Sequence, residues 1–93
     1  MNKKWAEEAI NLTPMDVTVF QGKQAFCIPS KRRDYMSENG TLMLPKEVDG
    51  VFYIVSNREA AYLSEFRRDV YIPGRIVRNK SDVIVGVRNF TRA

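Results

Sequence analysis

Val51-Phe52-Tyr53-Ile54-Val55-Ser56-Asn57-Arg58-Glu59 decides how this chain folds. Five consecutive apolar residues, three of them β-branched or isoleucine-like in shape, suit a strand buried on both faces. Ser56 then stands three residues before Glu59, the spacing of a capping box, in which each side chain satisfies an orphan amide of the first helical turn. A helix is therefore expected over residues 57–66, with Ala60, Leu63, Tyr62 and Phe66 along its inner face. A buried strand running directly into a capped helix is an α+β junction.

Strands are expected on both sides of this junction. Upstream, Val17-Thr18-Val19-Phe20 and residues 24–28 flank Gln21-Gly22-Lys23 as a first hairpin, which Pro29 ends. Residues 35–37 and 41–44 flank Glu38-Asn39-Gly40, where Asn-Gly suits a type I′ turn. Downstream, Val70-Tyr71-Ile72 is a short strand ending at Pro73-Gly74. A third hairpin pairs residues 75–78 with 83–87 around Asn79-Lys80-Ser81-Asp82. Residues 1–10 suit a short helical turn that docks Trp5 on the body or on a neighbouring subunit. The expected architecture is one strand-rich α+β domain over residues 1–93, with three hairpins in a small barrel or half-barrel and one main helix near 57–66. A chain of 93 residues buries only about 60–65% of its unfolded surface, so association into a homo-oligomer would help it.

Composition excludes much chemistry. The chain has no histidine, which removes Ser-His-Asp and Cys-His catalysis and His-containing zinc sites. Cys27 stands alone, so no intramolecular disulfide or Cys-rich metal site forms; flanked by Phe26 and Ile28, it reads as a buried apolar residue in a reducing, cytoplasmic protein. The acids show no metal-binding or acid–base spacing, and no P-loop glycine pattern occurs. The expectation is a non-enzymatic protein without metal or cofactor. No apolar run reaches the length of a spanning helix, and Glu7 and Glu8 stand where a signal peptide needs apolar residues.

The net charge of +4 is unevenly placed. Residues 67–93 carry seven basic residues (Arg67, Arg68, Arg75, Arg78, Lys80, Arg88, Arg92) against Asp69 and Asp82, an excess of five, which leaves residues 1–66 at −1. Six of the seven are arginine, whose fork matches phosphate or carboxylate oxygens. Arg78 and Arg88 are candidates to converge across the third hairpin. The plainer reading is a solvated surface with Arg68 paired to Asp69 or another acid. Ser56, Asn57 and Arg58 offer a second anion-binding candidate at the helix start, against the plainer reading that Ser56 only caps. Lys31-Arg32-Arg33 is a third basic cluster, diluted by Asp34, and reads as a solvated loop or as a clamp over a ligand. Phe20, Phe26, Phe52 and Phe66 are expected in the core. Tyr35 and Tyr71, near basic residues, could stack a base.

Asn11-Leu12-Thr13-Pro14 before a β-branched strand resembles small phage and mobile-element proteins, whose first strand follows Asn-Leu-Thr-Pro-His. Ile54-Val55-Ser56, Arg68-Asp69-Val70, Pro73-Gly74, Val77-Arg78 and Val85-Gly86 follow in the order of the same group. The chain departs from the pattern at Met15, at residues 79–82 and at Val87. The resemblance implies a phage or mobile-element origin and supplies no activity; a family histidine, were it catalytic, is absent here. Together these readings favour an accessory protein that sequesters a small anionic, nucleotide-derived host defence signal in the host cytoplasm, through Ser56, Asn57, Arg58, Arg68, Arg75 and Arg78. Two alternatives stay open: an inhibitor that covers a host protein, and a weakly specific nucleic-acid-binding module.

Overall fold

Residues 3–93 are described by the structure, a computed structural model; Met1 and Asn2 of the expected helical turn lie outside the described residues. In chain order the elements are α1 (Lys3–Glu8), β1 (Ile10–Asn11), β2 (Val17–Gln21), β3 (Gln24–Ile28), a 3-10 turn (Arg32–Tyr35), β4 (Tyr53–Ile54), α2 (Asn57–Leu63), β5 (Val70–Pro73), β6 (Ile76–Arg78), β7 (Ile84–Val87) and β8 (Phe90–Arg92). The chain is a strand-rich α+β domain. Its strands form two four-stranded sheets, in the orders β1-β4-β5-β8 and β3-β2-β7-β6.

The junction strand lies at the centre of the first sheet. β4 pairs in parallel with both β1 and β5, and β8 closes the sheet antiparallel to β5. Strand alternation sends Ile54 to one side and Tyr53 and Val55 to the other. Ile54 joins Val19, Ile28, Val87, Phe90 and Ala9 in a core between the two sheets. Tyr53 and Val55 join Leu12, Leu42, Ala60 and Val70 in a second core, covered by α2 and by residues 35–44. The result is three layers: helix and loop, first sheet, second sheet. Ile54 and Val55 are fully buried, each contributing about 1.5–3 kcal/mol relative to exposure. Trp5 docks on the body, its ring 4.9 Å from Tyr71 and 5.3 Å from Phe52.

Several local expectations are corrected. α2 ends at Leu63, and turns at residues 64–66 leave Phe66 79% exposed instead of in the core. The stripe fails there because the chain leaves helical geometry one turn early, with the amides of Phe66 and Arg67 both donating to the Leu63 carbonyl. The second hairpin shrinks to a single bridge between Met36 and Leu42. Its turn is not type I′, since Gly40 has φ +83° while Asn39 does not reach positive φ. Cys27 is exposed, because alternation from buried Ile28 points it away from the inter-sheet core.

Candidate functional site

Asn11 is fully buried and organises the loop that follows it. Its Nδ2 donates to the carbonyls of Met15 (3.0 Å) and Ile28 (2.9 Å), while its Oδ1 accepts from the Thr13 amide (2.9 Å) and hydroxyl (2.7 Å). These four bonds use the whole hydrogen-bonding capacity of a carboxamide. The Lys31 amide donates to the Asn11 carbonyl at 2.7 Å, and Ser30 Oγ donates to the Thr13 carbonyl at 2.5 Å. The Asn-Leu-Thr-Pro segment is thus a lock that fastens residues 30–33 beside residues 11–14.

That lock carries Arg32 to α2. Arg32 NH1 donates to the Leu12 carbonyl (2.8 Å) and to Glu59 Oε1 (2.6 Å), and NH2 donates to Glu59 Oε2 (3.1 Å). The pair is two-pronged and largely sheltered, with side chains 24% and 13% exposed. The hydrogen bond to Glu59 raises the Arg32 pKa further above its ordinary value, against a smaller opposing effect of burial. The capping box forms only in part. Ser56 Oγ accepts from the Glu59 amide at 3.3 Å, but the Glu59 carboxylate turns to Arg32 and to the Ser56 hydroxyl. A guanidinium offering two donors outcompetes a single backbone amide.

Two adjoining grooves meet at Pro14. One, of about 370 Å3, is lined by Pro14, Arg32, Ser56, Arg58, Glu59 and Tyr62. The other, of about 410 Å3, is lined by Pro14, Ser30, Lys31, Arg33 and Asp34. Lys31, Arg33 and Arg58 are exposed and take part in none of the ion pairs among the described residues. Against Asp34 they leave a local excess of two positive charges. Because α2 has only seven residues, its dipole adds little, and the charge of the grooves comes from side chains.

The six residues expected at a ligand site do not converge. Ser56, Asn57 and Arg58 stay together at the start of α2, with Asn57 exposed as its first residue. Arg68 lines a separate groove of about 440 Å3 beside Glu47, Asp49 and Asp69. Arg67, not Arg68, is the partner of Asp69, at 3.0 and 2.7 Å, and that hydrogen bonding raises its pKa. Arg75 and Arg78 belong to the second sheet. In the antiparallel β6–β7 pair Arg78 stands beside the turn, opposite Ile84, while Arg88 stands at the open end by Arg75, its amide bonded to the Arg75 carbonyl at 2.8 Å, so the two do not meet. Arg78 instead donates to the Asp82 carbonyl at 3.0 Å and faces its carboxylate at 3.8 Å. The Lys31–Arg33 cluster, which reads in sequence as a solvated loop, is the element brought to Ser56 and Arg58. The missing signal was the partner of Arg32, which lies 27 residues away.

No group of three or more metal-ligating side chains occurs among the described residues. No described helix is long and apolar enough to cross a membrane. Comparison with known proteins finds no matching family model, no matching curated protein and no matching solved structure.

Proposed function

We propose that the grooves around Pro14 bind a small phosphate-bearing, nucleotide-like anion and hold it without turning it over. The observation that carries this reading is the meeting of Lys31, Arg33 and Arg58, three exposed cations without an ion-pair partner among the described residues, around one proline. Arg32 is neutralised by Glu59 and acts as a strut that fixes its neighbours. Ser56 supplies a hydroxyl at the groove wall, and half-exposed Tyr62 supplies a ring face against which a base can stack. Three free cations over two short grooves suit a compact anion better than a long polyanion, whose binding draws on many phosphate contacts. With the phage or mobile-element resemblance, the reading becomes an accessory protein that sequesters a nucleotide-derived defence signal in the host cytoplasm.

Thermal melting against a panel of cyclic and linear nucleotides, with inorganic phosphate as the small-anion arm, tests the reading. A ligand at 100 times its Kd stabilises by about 2.7 kcal/mol, which raises the Tm of a domain this size by about 10–20 °C. Arg58→Ala and Arg33→Ala should each weaken that ligand about tenfold or more. A flat melting temperature across the whole panel retires the proposal.

A further inference from the structure

The two grooves share one residue, and none of their cations lines both. Arg58 lines only the first, Lys31 and Arg33 only the second, and Pro14 alone is common to them. The backbone causes this separation. Residues 32–35 form a 3-10 turn, closed by the Asp34 amide on the Lys31 carbonyl at 3.0 Å. With three residues per turn, successive side chains leave such a turn about 120° apart. Arg32 is drawn to Glu59 in the first groove, so Lys31 and Arg33 lead away from it. The three cations therefore offer two points of attachment, one on each side of Pro14. The spacing of those points is fixed. Arg32 NH1 holds the Leu12 carbonyl, Ser30 Oγ the Thr13 carbonyl and the Lys31 amide the Asn11 carbonyl, and the Pro14 ring locks its own φ. The walls of both grooves are thus tied to the same four residues.

Each point suits a small charge. In the first groove Glu59 compensates Arg32, which leaves Arg58. In the second, Asp34 stands beside Lys31 and Arg33, and Asp16 accepts from the amide of Ser30, which lines the same groove, at 2.8 Å. These acids repel a dense cluster of negative charge and leave room for a single one. A terminal phosphate carries about −1.5 to −2 near neutral pH because of its second ionisation; a phosphodiester has no second proton to lose and carries one charge. The grooves are also nearly equal, at about 370 and 410 Å3. Each lies near the lower end of the about 300–1,000 Å3 of small-molecule sites, which suits one nucleotide unit. Building on the reading of these grooves as a nucleotide-like anion site, we propose that the ligand is a dinucleotide closed by two phosphodiesters, seated across the Pro14 ridge with one unit and one phosphate in each groove. Tyr62, half-exposed in the first groove, offers its ring to one base. A mononucleotide fills one groove, and a nucleoside triphosphate gathers its charge at one point, so each leaves half of the site unused. Joining two units makes the second contact intramolecular, which raises affinity by about 100-fold to 10,000-fold where the spacing fits.

Titration calorimetry on the full chain compares a cyclic dinucleotide, the matching cyclic mononucleotide and the matching nucleoside triphosphate, each in adenine, guanine and uracil forms. The expected result is one cyclic dinucleotide per chain, bound about 100-fold or more tighter than the cyclic mononucleotide of the same base. Arg33→Ala and Arg58→Ala should each bring the dinucleotide back to within about tenfold of the mononucleotide. Their melting temperatures without ligand should match the parent's, because both side chains lie outside the ion pairs among the described residues. Lys80→Ala, exposed in the turn at residues 79–82, should bind as the parent does. A cyclic mononucleotide or triphosphate that binds as tightly as the dinucleotide overturns the two-groove ligand and leaves the anion site standing. So does a dinucleotide affinity that Arg33→Ala does not change. Binding of none of the probes overturns both.

Discussion

Removing the carboxamide of Asn11 should cost more than removing any other polar side chain of this domain. Asn11→Ala deletes four hydrogen bonds at a position with no solvent exposure. The Thr13 amide loses its partner inside the protein, at about 1–3 kcal/mol. The Ile28 carbonyl keeps its ladder pairing with β2, and the Thr13 hydroxyl, with one proton to give, turns it to the Met15 carbonyl at 2.8 Å, so each of those sides of the network loses only about 0.5–1 kcal/mol. The total is about 2–5 kcal/mol, which for a domain of this length lowers Tm by on the order of 10–40 °C. Thr13→Val removes only the hydroxyl and should cost about 1 kcal/mol, a measurable step if the alanine variant does not fold. Asn11→Asp adds a sign test. One oxygen of the introduced carboxylate would keep the Thr13 donors, but the other would face the Met15 and Ile28 carbonyls, which have no proton to give, at a position without solvent, so its folded pKa rises above the ordinary value near 4. The stability retained by that variant is then present below about pH 4 and falls as pH rises through the raised value. Urea unfolding of the three variants at several pH values supplies the measurement. An Asn11→Ala loss under about 1 kcal/mol, or an Asn11→Asp variant as stable at neutral pH as in acid, would refute the lock.

A double-mutant cycle of Arg32→Ala and Glu59→Ala should give a coupling of about 1–2 kcal/mol, above the range for exposed pairs because the contact is sheltered and two-pronged; a coupling near zero would contradict the strut. Burial is the first cause, and the nearby Tyr35 and Asp69 the further causes, that raise the Tyr53 pKa above its ordinary value. The unfolded chain therefore loses that proton first, so stability should fall as pH rises past about 10, and Tyr53→Phe should flatten the fall in urea midpoints between about pH 8 and about pH 11. Gly86→Ala should cost about 1–3 kcal/mol, because its methyl group meets the Thr18 carbonyl, which is backbone and cannot swing away; thermal melting with a parent-like midpoint would contradict that close approach.

What the sequence shows of this fold is mostly what neighbouring residues decide. The Ser56 cap, the first hairpin and the turn at residues 79–82 rest on local patterns and appear where those patterns put them, whereas the apolar run at 51–55 keeps only Tyr53–Ile54 as strand and leaves Val51 and Phe52 half-buried. The Asn79 carboxamide, for instance, accepts from the Ser81 and Val83 amides within its own turn. Readings failed where a distant segment decides. Phe66 fits the helical stripe, yet α2 ends at Leu63 and the turn at residues 64–66 carries Phe66 out of it. Cys27 has apolar neighbours, yet its burial depends on which side of β3 holds the core. The parallel pairing of β2 with β7, which turns two hairpins into one sheet, joins residues 68 positions apart at Val19 and Val87 and leaves no periodic trace.

The same distinction separates the charges that matter at the grooves from those that only look conspicuous. Arginine density in residues 67–93 drew attention to Arg68, Arg75 and Arg78, but composition along a chain is not concentration in space. Strand connections carry Arg75 and Arg78 onto the second sheet, while Arg68 stays in another groove beside acids. The Lys31–Arg33 cluster reads as the weaker one because Asp34 follows it, and Glu59 reads as part of its own helix cap. Both readings rest on local pairing. Glu59 instead takes Arg32, the middle residue of the three, and in a turn the residues on either side of a fixed one point elsewhere. Neutralising Arg32 therefore does not silence the cluster. It fixes the backbone from which Lys31 and Arg33 project, so an incoming anion meets cations whose ordering cost has already been met in folding.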